Sequence, residues 1–272
     1  MKFKIGITGH SGILGSQVIK SFIGVKFIRF NGDITRKTQI KKWLNKNQID
    51  YIFHFAAVVP TERVNDNYSY AKKVNYLGTK HLVDEIIRGN SIKWFFYSST
   101  SHVYSFSSEK INEKKKTNPI SKYGLTKLKA ENYIIKKLSN RIPFCIGRIF
   151  SFTHKNQSPD FVIPAIISRI KNKNKQIFKN TNHIRDFVSI KDIVTAIKIL
   201  FKNKSVGIFN IGSGKKVMIS DIIKIISKKT NKIYKIEYER KKQTCLVADI
   251  KKLKKLNWKP TQNIKNIIYN LI

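Results

Sequence analysis

A glycine-rich turn near the N-terminus constrains the fold of this chain more than any other feature. Gly9, Gly12 and Gly15 follow a short apolar run directly and open a helical pattern. One glycine permits a tight turn, one lets a phosphate approach the backbone, and one lets helix and strand pack closely. A pyrophosphate then lies at the helix N-terminus, where free N–H groups and the helix dipole favour negative charge. We predict that the loop binds a dinucleotide through Gly9, Ser11, Gly12, Ile13, Leu14 and Gly15.

The first half of the chain alternates apolar β-rich runs with helical patterns. Runs at 2–8, 25–30, 50–56, 92–98 and 142–149 predict strands. Spacing at 12–23, 38–47, 75–89 and 121–138 predicts helices, with Thr38 as an N-cap. This alternation predicts an α/β fold, a Rossmann-type doubly wound parallel sheet over residues 1–150 that segment 186–206 rejoins.

The second half is less regular. Helical patterns recur at 161–171, 192–203 and 220–229, a last helix begins at Gln262, and 233–238 reads as a strand. We expect residues 151–272 to form mainly a small α/β substrate-binding part.

A Tyr-x-x-x-Lys motif places Tyr123 and Lys127 on one face of a predicted helix. A lysine ammonium one turn away would lower the tyrosine pKa from its ordinary value of about 10. Tyr123 could then act as a general acid or base. Thr100 ends a hydroxyl-rich strand at the carboxyl edge, where such sheets bind ligands, and could hydrogen-bond the same substrate oxygen. A chance pair on a surface helix is the alternative.

These motifs, taken in order, make the chain resemble the extended short-chain dehydrogenases/reductases, in particular the NAD-dependent epimerase/dehydratase group. The resemblance covers essentially the whole chain and implies an NAD(P)-dependent enzyme acting on a nucleotide-linked sugar, with a homodimer built from two helices per subunit. Further motifs that carry it are His54-Phe55-Ala56-Ala57, Arg148-Ile149-Phe150, Arg185-Asp186-Phe187-Val188 and Trp258-Lys259-Pro260.

The resemblance also implies binding residues. Asp33 and Ile34 match the pair that holds the adenine, and Ala56, Ala57 and Lys127 complete the cofactor site. Arg29 ends the second strand, and no acidic residue takes the usual place at Asn31. Arg29 could meet a 2′-phosphate, which favours NADP over NAD, or it could be a solvated surface arginine.

On the substrate side, the resemblance implies that Arg185 grips the nucleotide diphosphate. An ion pair with Asp186 or Asp192 is the alternative. Ser151 stands where the family often has a substrate-contacting asparagine. His102 could protonate a sugar carbon or simply form part of the pocket wall.

The expected reaction is reduction of the 4-keto group of a nucleotide-linked 6-deoxy sugar. Dehydratases of the group resemble one another in having an acidic residue after the catalytic threonine, whereas Ser101-His102 follows Thr100 here. The compact link from the glycine loop to Asp33 resembles that of small 4-keto reductases. A 4-epimerase with retained NAD would use the same three catalytic residues, so this alternative stays open.

The formal net charge of +38 raises the alternative of a non-enzymatic, nucleic-acid-binding Rossmann protein. Lysine far outnumbers arginine and is scattered, a pattern typical of biased composition, and Thr100, Tyr123 and Lys127 together argue for an enzyme. We expect no nucleic-acid or membrane partner. The N-terminus lacks a signal-peptide pattern, and the two cysteines fit a reducing compartment, so we expect a cytoplasmic protein.

Overall fold

The strands and helices are described here from a computed structural model that covers residues 3–89, 91–172, 176–237 and 242–272. The predicted strand ends at Lys2 and Tyr238 lie outside these residues. The chain divides into two units. The first comprises Met1–Tyr104, Lys116–Ile149 and Val194–Phe209, and the second comprises Ser105–Lys115, Phe150–Ile193 and Asn210–Ile272.

Over the described residues, six strands form a parallel sheet in the order β2-β1-β3-β4-β5-β8. Strands β1 to β5 pair in parallel register along this order. The predicted Rossmann-type α/β fold is therefore confirmed. The strands are β1 Lys4–Thr8, β2 Lys26–Arg29, β3 Tyr51–His54, β4 Trp94–Thr100, β5 Phe144–Ile149, β6 Gln176–Phe178, β7 Ile184–Arg185, β8 Gly207–Ile211, β9 Val217–Met218, β10 Tyr234–Ile236 and β11 Cys245–Leu246.

The helices follow the predicted alternation with the sheet strands. Two short helices between β3 and α5 were not predicted. The helices are α1 Ile13–Ser21, α2 Lys37–Lys46, α3 Thr61–Asp66, α4 Tyr68–Lys72, α5 Thr79–Gly89, α6 Lys122–Leu138, α7 Val162–Asn172, α8 Ile190–Lys202, α9 Ile219–Thr230, α10 Lys251–Lys254 and α11 Ile264–Tyr269.

Helix α2 starts earlier than its sequence pattern indicates. Arg36 is the N-cap residue, and Thr38 lies inside the helix, so the prediction of Thr38 as N-cap was wrong. The reason is local, because the carboxylate of Asp33 accepts hydrogen bonds from the backbone and side chain of Thr35. This turn places the N-cap at Arg36, two residues before Thr38, so that the helix starts at Lys37.

The helix predicted at 75–89 is regular only from Thr79 onward. Lys73–Gly78 forms a π-helical segment ahead of α5. Asn75 lies in this segment, fully buried, and its side chain bonds both the N–H and the carbonyl of Val58. A π segment commonly marks a place where a helix is adapted to a functional contact.

The hydrophobic cores explain why these runs form these elements. In the first unit, every residue of β4 is buried, as a strand covered on both faces requires. Apolar positions of α2, α5 and α6 pack on this sheet. In the second unit, apolar residues of α7, α9 and α11 share a separate core. Within the described residues, no helix is both long and apolar enough to cross a bilayer.

Candidate active site

The glycine loop between β1 and α1 needs its glycines for steric reasons. Gly9 has a φ of 68°, and a Cβ there would lie 2.5 Å from the backbone nitrogen of Ala56. A Cβ on Gly15 would lie 2.3 Å from the carbonyl oxygen of Gly9. Gly12 is the N-cap of α1 and supplies no capping side chain. No described side chain therefore caps the N–H groups of the first helical turn, which leaves them available to a phosphate.

A cleft of about 580 Å³ opens beside this loop within the first unit. The Nδ1 atom of His10 is buried there and has no hydrogen-bond partner among the described residues. The volume, the open helix terminus and this unpaired nitrogen fit the nucleotide part of a dinucleotide. The cleft is lined by Gly9, His10, Ser11, Phe30, Asn31, Gly32, Asp33, Ile34, Ala56, Tyr70 and Val74.

Several predicted cofactor residues therefore lie together at the cleft, namely Gly9, Ser11, Asp33, Ile34 and Ala56. The described lining does not include Gly12, Ile13, Leu14, Gly15, Arg29, Ala57 or Lys127, whose contacts with a cofactor stay predictions. Phe30, Tyr70 and Val74 were not predicted. The signal at Phe30 was its place directly after Arg29, at the carboxyl end of β2.

Asp33 holds the rim of the cleft in place. Its backbone N–H donates to Oε1 of Gln39 at 2.7 Å, and Oδ1 accepts from the N–H and Oγ1 of Thr35, both at 2.8 Å. The hydrogen bonds from Thr35 lower the pKa of this carboxyl group. Asp33 is thus a charged acceptor at neutral pH in a fixed turn.

The catalytic candidates meet where β4 ends and α6 begins. Thr100 is the last residue of β4, and Tyr123 lies in the first turn of α6. Gly124 permits the approach, because a Cβ there would lie 2.1 Å from the carbonyl oxygen of His102. Burial raises the pKa of Tyr123, and the nearby hydroxyl of Thr100 opposes that rise. The expectation that Lys127 lowers this pKa is not met by the protein alone, since burial is the larger effect.

Lys127 lies one helical turn further along α6 and is 2% exposed. Its Nζ atom sits 4.2 Å from the ring centroid of Tyr97 on β4. Burial lowers the pKa of Lys127 to about 7, and the negative charge of Glu131 opposes that fall. Removal from water therefore favours the neutral amine of Lys127, whereas the nearby carboxylate favours the charged ammonium group.

His102 lies beside the same pair. Its Nδ1 atom is 3.1 Å from Oγ of Ser121, and its ring meets that of Tyr123 edge-on, with 5.9 Å between centroids. Ser121 is also the N-cap of α6 and accepts from the N–H of Gly124. Both alternatives for His102, acid/base or pocket wall, keep it next to Tyr123.

His54 ties the glycine loop to the helix layer. It is fully buried at the end of β3, with Nδ1 2.5 Å from Oγ1 of Thr8 and Nε2 2.8 Å from Oγ1 of Thr79. The Thr79 hydroxyl donates to the carbonyl of Asn75, so Nε2 carries the proton and Nδ1 accepts from Thr8. Burial first, and then Lys127, lower the pKa of His54 to about 3.

A buried carboxylate missed at the sequence level lies one turn beyond Lys127. Glu131 is 0% exposed and accepts from Arg148 through Nη2 at 2.6 Å and Nε at 3.1 Å. Ser99 also donates to it. Arg148, the first residue of the Arg148-Ile149-Phe150 motif, is 3% exposed, and its guanidinium contacts Glu131. The four-residue spacing from Lys127 was the available signal.

Arg185 and Asp186 of the second unit have separate partners. Arg185 donates to the carbonyl and Oγ1 of Thr244 at 3.0 and 2.9 Å, and its guanidinium stacks on Phe106. Asp186 accepts from backbone or side-chain donors of Ser213, Gly214 and Ala248.

The alternative of an ion pair between Arg185 and Asp186 or Asp192 is therefore wrong. Asp192 accepts instead from Ser189, Thr261 and Gln262. Ser151 contributes its carbonyl, which accepts from the N–H of Val188, and its bridge to Phe187 places it beside the strand that carries Arg185.

A parallel sheet with a glycine-rich phosphate loop, and a Thr–Tyr–Lys set at its carboxyl edge, define a dinucleotide-dependent oxidoreductase of the short-chain type. The model of the NAD-dependent epimerase/dehydratase family matches residues 5–212, and the chain belongs to that family. As a member of that family, it is an enzyme of the extended short-chain dehydrogenase type that uses a nicotinamide cofactor. The family, fold and enzyme predictions are confirmed.

Relatives and solved structures agree with this placement. A Methanocaldococcus jannaschii protein, provisionally assigned as a UDP-glucose 4-epimerase, is 28% identical over 98% of this chain and 96% of its own. The UDP-glucuronic acid 4-epimerase of Bacillus cereus, solved with UDP-glucuronic acid and NAD, is 24% identical, with a TM-score of 0.87 over 99% of this chain and 98% of that one. RMD from Pseudomonas aeruginosa, solved with NADPH, is 20% identical, with a TM-score of 0.88 over 99% and 97%.

Proposed function

We propose that the protein interconverts the C4 epimers of a UDP-linked sugar and retains NAD through the cycle. The observation that carries the proposal is the placement of Thr100 at the end of β4 and of Tyr123 in the first turn of α6, one helical turn before buried Lys127. Its family membership and the 28% identical relative assigned as a UDP-glucose 4-epimerase support epimerisation over the reduction expected from the compact β2 link.

Each residue has a role that follows from its position. Tyr123, in its phenolate form, accepts the proton of the sugar 4-hydroxyl and later returns it as the phenol, while Thr100 orients the same sugar oxygen. Lys127 stabilises negative charge on Tyr123 and binds ribose hydroxyls of the cofactor. Bound NAD supplies the hydride acceptor at C4. Because Ser101 and His102 offer no carboxylate after Thr100, this site is poorly suited to dehydration.

Arg185 supplies the contact to the diphosphate of the substrate. Its guanidinium has hydrogen bonds to oxygen atoms of Thr244 and Ile184, but no ion pair with an acidic side chain of the described residues. Its positive charge therefore remains available to an anion, and charge-assisted bonds to phosphate are among the stronger ones. Ser151 bridges Phe187, two residues after Arg185, and we propose that it lies beside the same diphosphate site.

Reduction of a 4-keto-6-deoxy nucleotide sugar with NADPH is the second candidate. Arg29 is exposed at the end of β2, and the residues that follow it, Phe30 and Asn31, are not acidic. An acidic residue there would favour the NAD ribose hydroxyls, whereas an arginine can meet a 2′-phosphate. RMD, of like fold, was solved with NADPH.

One experiment separates the two candidates. The purified protein is denatured, and the released nucleotide is identified by chromatography. The native protein is then incubated with UDP-glucose, UDP-galactose and UDP-glucuronic acid, and products are followed by NMR. Released NAD together with C4-epimeric products would support the epimerase. NADPH oxidation with 4-keto-6-deoxy nucleotide sugars, without epimerisation of UDP-sugars, would overturn it in favour of the reductase.

The assembly and compartment follow from the same assignment. We propose a homodimer that uses α5 and α6, since these helices pack together in each subunit and the family resemblance implies such a pair. Light scattering at micromolar concentration tests the dimer. A cytoplasmic location is proposed because nucleotide sugars and reduced thiols are found there, and Cys145 and Cys245 form no disulfide.

A further inference from the structure

Three buried ionic side chains lie together near the start of α6. Lys127, Glu131 and Arg148 are each at most 3% exposed. Glu131 lies one turn beyond Lys127 on α6, and Arg148 reaches it from β5 with two guanidinium nitrogens. Ser99, the register partner of Arg148 on β4, donates to the same carboxylate. Such a cluster is costly to bury, so its arrangement calls for a reason.

The charges of this cluster do not cancel. Two cations share one carboxylate, and Glu131 makes its direct hydrogen bonds with Arg148 rather than with Lys127. Lys127 makes no hydrogen bond with a described side chain, and its ammonium faces the ring of Tyr97. The nearby carboxylate therefore acts on Lys127 through space, in a region where water screens little.

Other titratable groups lie near Lys127 on β3, on β4 and in the first turn of α6. Tyr97 lies on β4, His54 on β3, and Tyr123 one turn back on α6, with His102 against the ring of Tyr123. The buried neutral imidazole of His54 and the two phenols carry no negative charge at neutral pH. Glu131 is thus the anionic group of the described residues that acts on the Lys127 charge.

We propose that Glu131 is a positioning residue, held by Arg148 and Ser99, whose carboxylate keeps Lys127 protonated and thereby sets the pH range over which Tyr123 works. The influence of Glu131 on the pH range of catalysis rests on the proposed function, whereas its effect on the protonation of Lys127 does not. Arg148 tunes the effect in the opposite direction, because it competes with Lys127 for the same negative charge.

The first test needs neither substrate nor cofactor. The folded-state pKa of Lys127, about 7, lies below its ordinary value of 10.5. Between these values the unfolded chain binds more protons, so the free energy of unfolding rises with pH. The difference in this free energy between the native protein and Lys127→Met isolates the contribution of Lys127. We expect it to be flat below the folded-state pKa and to rise above it.

The cluster variants should move the onset of that rise in opposite directions. Glu131→Gln removes the attraction, so the onset should fall by about one pH unit, as expected for loss of a nearby opposite charge. Arg148→Met removes the competing cation, so the onset should move to higher pH. Arg148→Lys keeps the cation and should stay near the native onset. Each variant is compared with its own Lys127→Met double mutant by urea unfolding from pH 5.5 to 10.

A merely structural role predicts another pattern. Glu131→Gln and Arg148→Met would each lose stability because a buried ion pair is lost. The pH at which the Lys127 contribution begins to rise would, however, stay at its native value. Glu85→Gln serves as a matched control, because Glu85 is another buried carboxylate, paired with Arg88 and Lys37 on a different helix. If Glu131→Gln does not fold, the Arg148→Met and Arg148→Lys pair still decides, and an unmoved onset in Arg148→Met overturns the proposal.

The second test uses the reaction. In Glu131→Gln the alkaline limb of the kcat profile should move to lower pH by the same interval as the stability onset, and KM should change little. Inactivity of the native protein toward the UDP-sugar panel would reject the proposed function and leave the stability result intact. A moved stability onset with an unmoved kcat limb would overturn the link to Tyr123.

Discussion

The cations of the two units have different partners. In the first unit, Arg148 is paired with Glu131, and Lys127 lies within the field of that carboxylate. In the second unit, Arg185 is bonded to neutral oxygens of Thr244 and Ile184, although Asp186 follows it in sequence. The carboxylate of Asp186 is taken up by donors at Ser213, Gly214 and Ala248 instead.

The two kinds of partner, carboxylate or neutral oxygen, suit the cations to different tasks. A charge compensated inside the protein can hold an internal group, such as the Tyr123 phenol, in a chosen protonation state. A charge satisfied only by neutral acceptors keeps its attraction for an anion that arrives from solution. Although Arg185 and Asp186 are adjacent in sequence, they form no ion pair with each other. Arg185 bonds Thr244, whereas the Asp186 carboxylate accepts from Ser213, Gly214 and Ala248.

The largest effect is expected at Tyr123. Tyr123→Phe removes the hydroxyl that moves the proton, so kcat should fall by a factor of about 10² to 10⁴, the range for loss of a general acid or base. Cofactor affinity should remain nearly native, because the ring and its burial are kept. Turnover is measured by NMR of the UDP-sugar products, and affinity by protein fluorescence quenching.

Tyr133→Phe is the matched control for this change. Tyr133 lies on the same helix, and its hydroxyl bonds Asp84 rather than a catalytic group. Native turnover in Tyr133→Phe together with a loss in Tyr123→Phe would locate the chemistry at the first turn of α6. Native turnover in Tyr123→Phe would mean that the Tyr123 hydroxyl moves no proton. The cluster of Lys127, Glu131 and Arg148 would then have no catalytic phenol to act on.

Arg185 tests the other side of the comparison. Arg185→Ala should weaken UDP binding about 10- to 100-fold, since a hydrogen bond to a charged group contributes about 1.5–3 kcal/mol. Isothermal titration with UDP measures the loss. Arg169→Ala is the control, because Arg169 stacks on Phe178 and bonds the Ile177 carbonyl. Equal losses in both variants would mean that general positive charge, and not this guanidinium, attracts the nucleotide.

His54 tests how strongly the first unit excludes an added charge. Its folded-state pKa of about 3 lies below the ordinary 6.5, so the unfolded state binds more protons between these values. Stability attributable to His54 should therefore fall as pH falls below 6.5. From pH 7.5 to 5 the loss is about 2 kcal/mol, at about 1.4 kcal/mol per pH unit. Urea unfolding of the native protein and of His54→Asn measures it.

His154→Gln is the control for this slope, since His154 lies in a partly exposed loop and accepts from the Asn156 N–H. It should keep the acid loss of the native protein, whereas His54→Asn should show a shallower one. The same loss in all three proteins would show that Thr8 and Thr79 accommodate a charged imidazole.

The sequence predicted the frame of the first unit because its signals are local. Glycine spacing follows from close approaches at Gly9 and Gly15, and buried strands read as apolar runs whatever surrounds them. Short strands such as β7, β9 and β11 were not predicted, because two-residue pairings depend on distant partners rather than on any local period. The π segment before α5 was also missed, since the contact of Asn75 with Val58 spans 17 residues.

At the site, sequence identified the groups but not their electrostatics. Thr100, Tyr123 and Lys127 follow from spacing along a strand and a helix, and spacing holds no information on burial. The raised pKa of Tyr123 and the lowered pKa of Lys127 both arise first from removal of water, which is a property of the packed unit. The Glu131–Arg148 pair spans 17 residues and two elements, so only the folded chain brings it together.

The smallest effect is expected at Arg29, an exposed cation of the first unit. It has no ion pair with an acidic side chain of the described residues, so it resembles Arg185 more than Lys127 in the comparison. Arg29→Ala should raise the Kd of NADPH by at most about fivefold and leave that of NADH unchanged, since exposed charge pairs contribute about 0.2–1 kcal/mol. Arg36→Ala is the control, because Arg36 already contacts Asp33 at 3.7 Å. Fluorescence titration measures both affinities. If the affinity for NADH fell as much as that for NADPH, Arg29 would shape the cleft rather than contact a 2′-phosphate. The contrast between compensated and available cations would then hold only for Arg185 in the second unit.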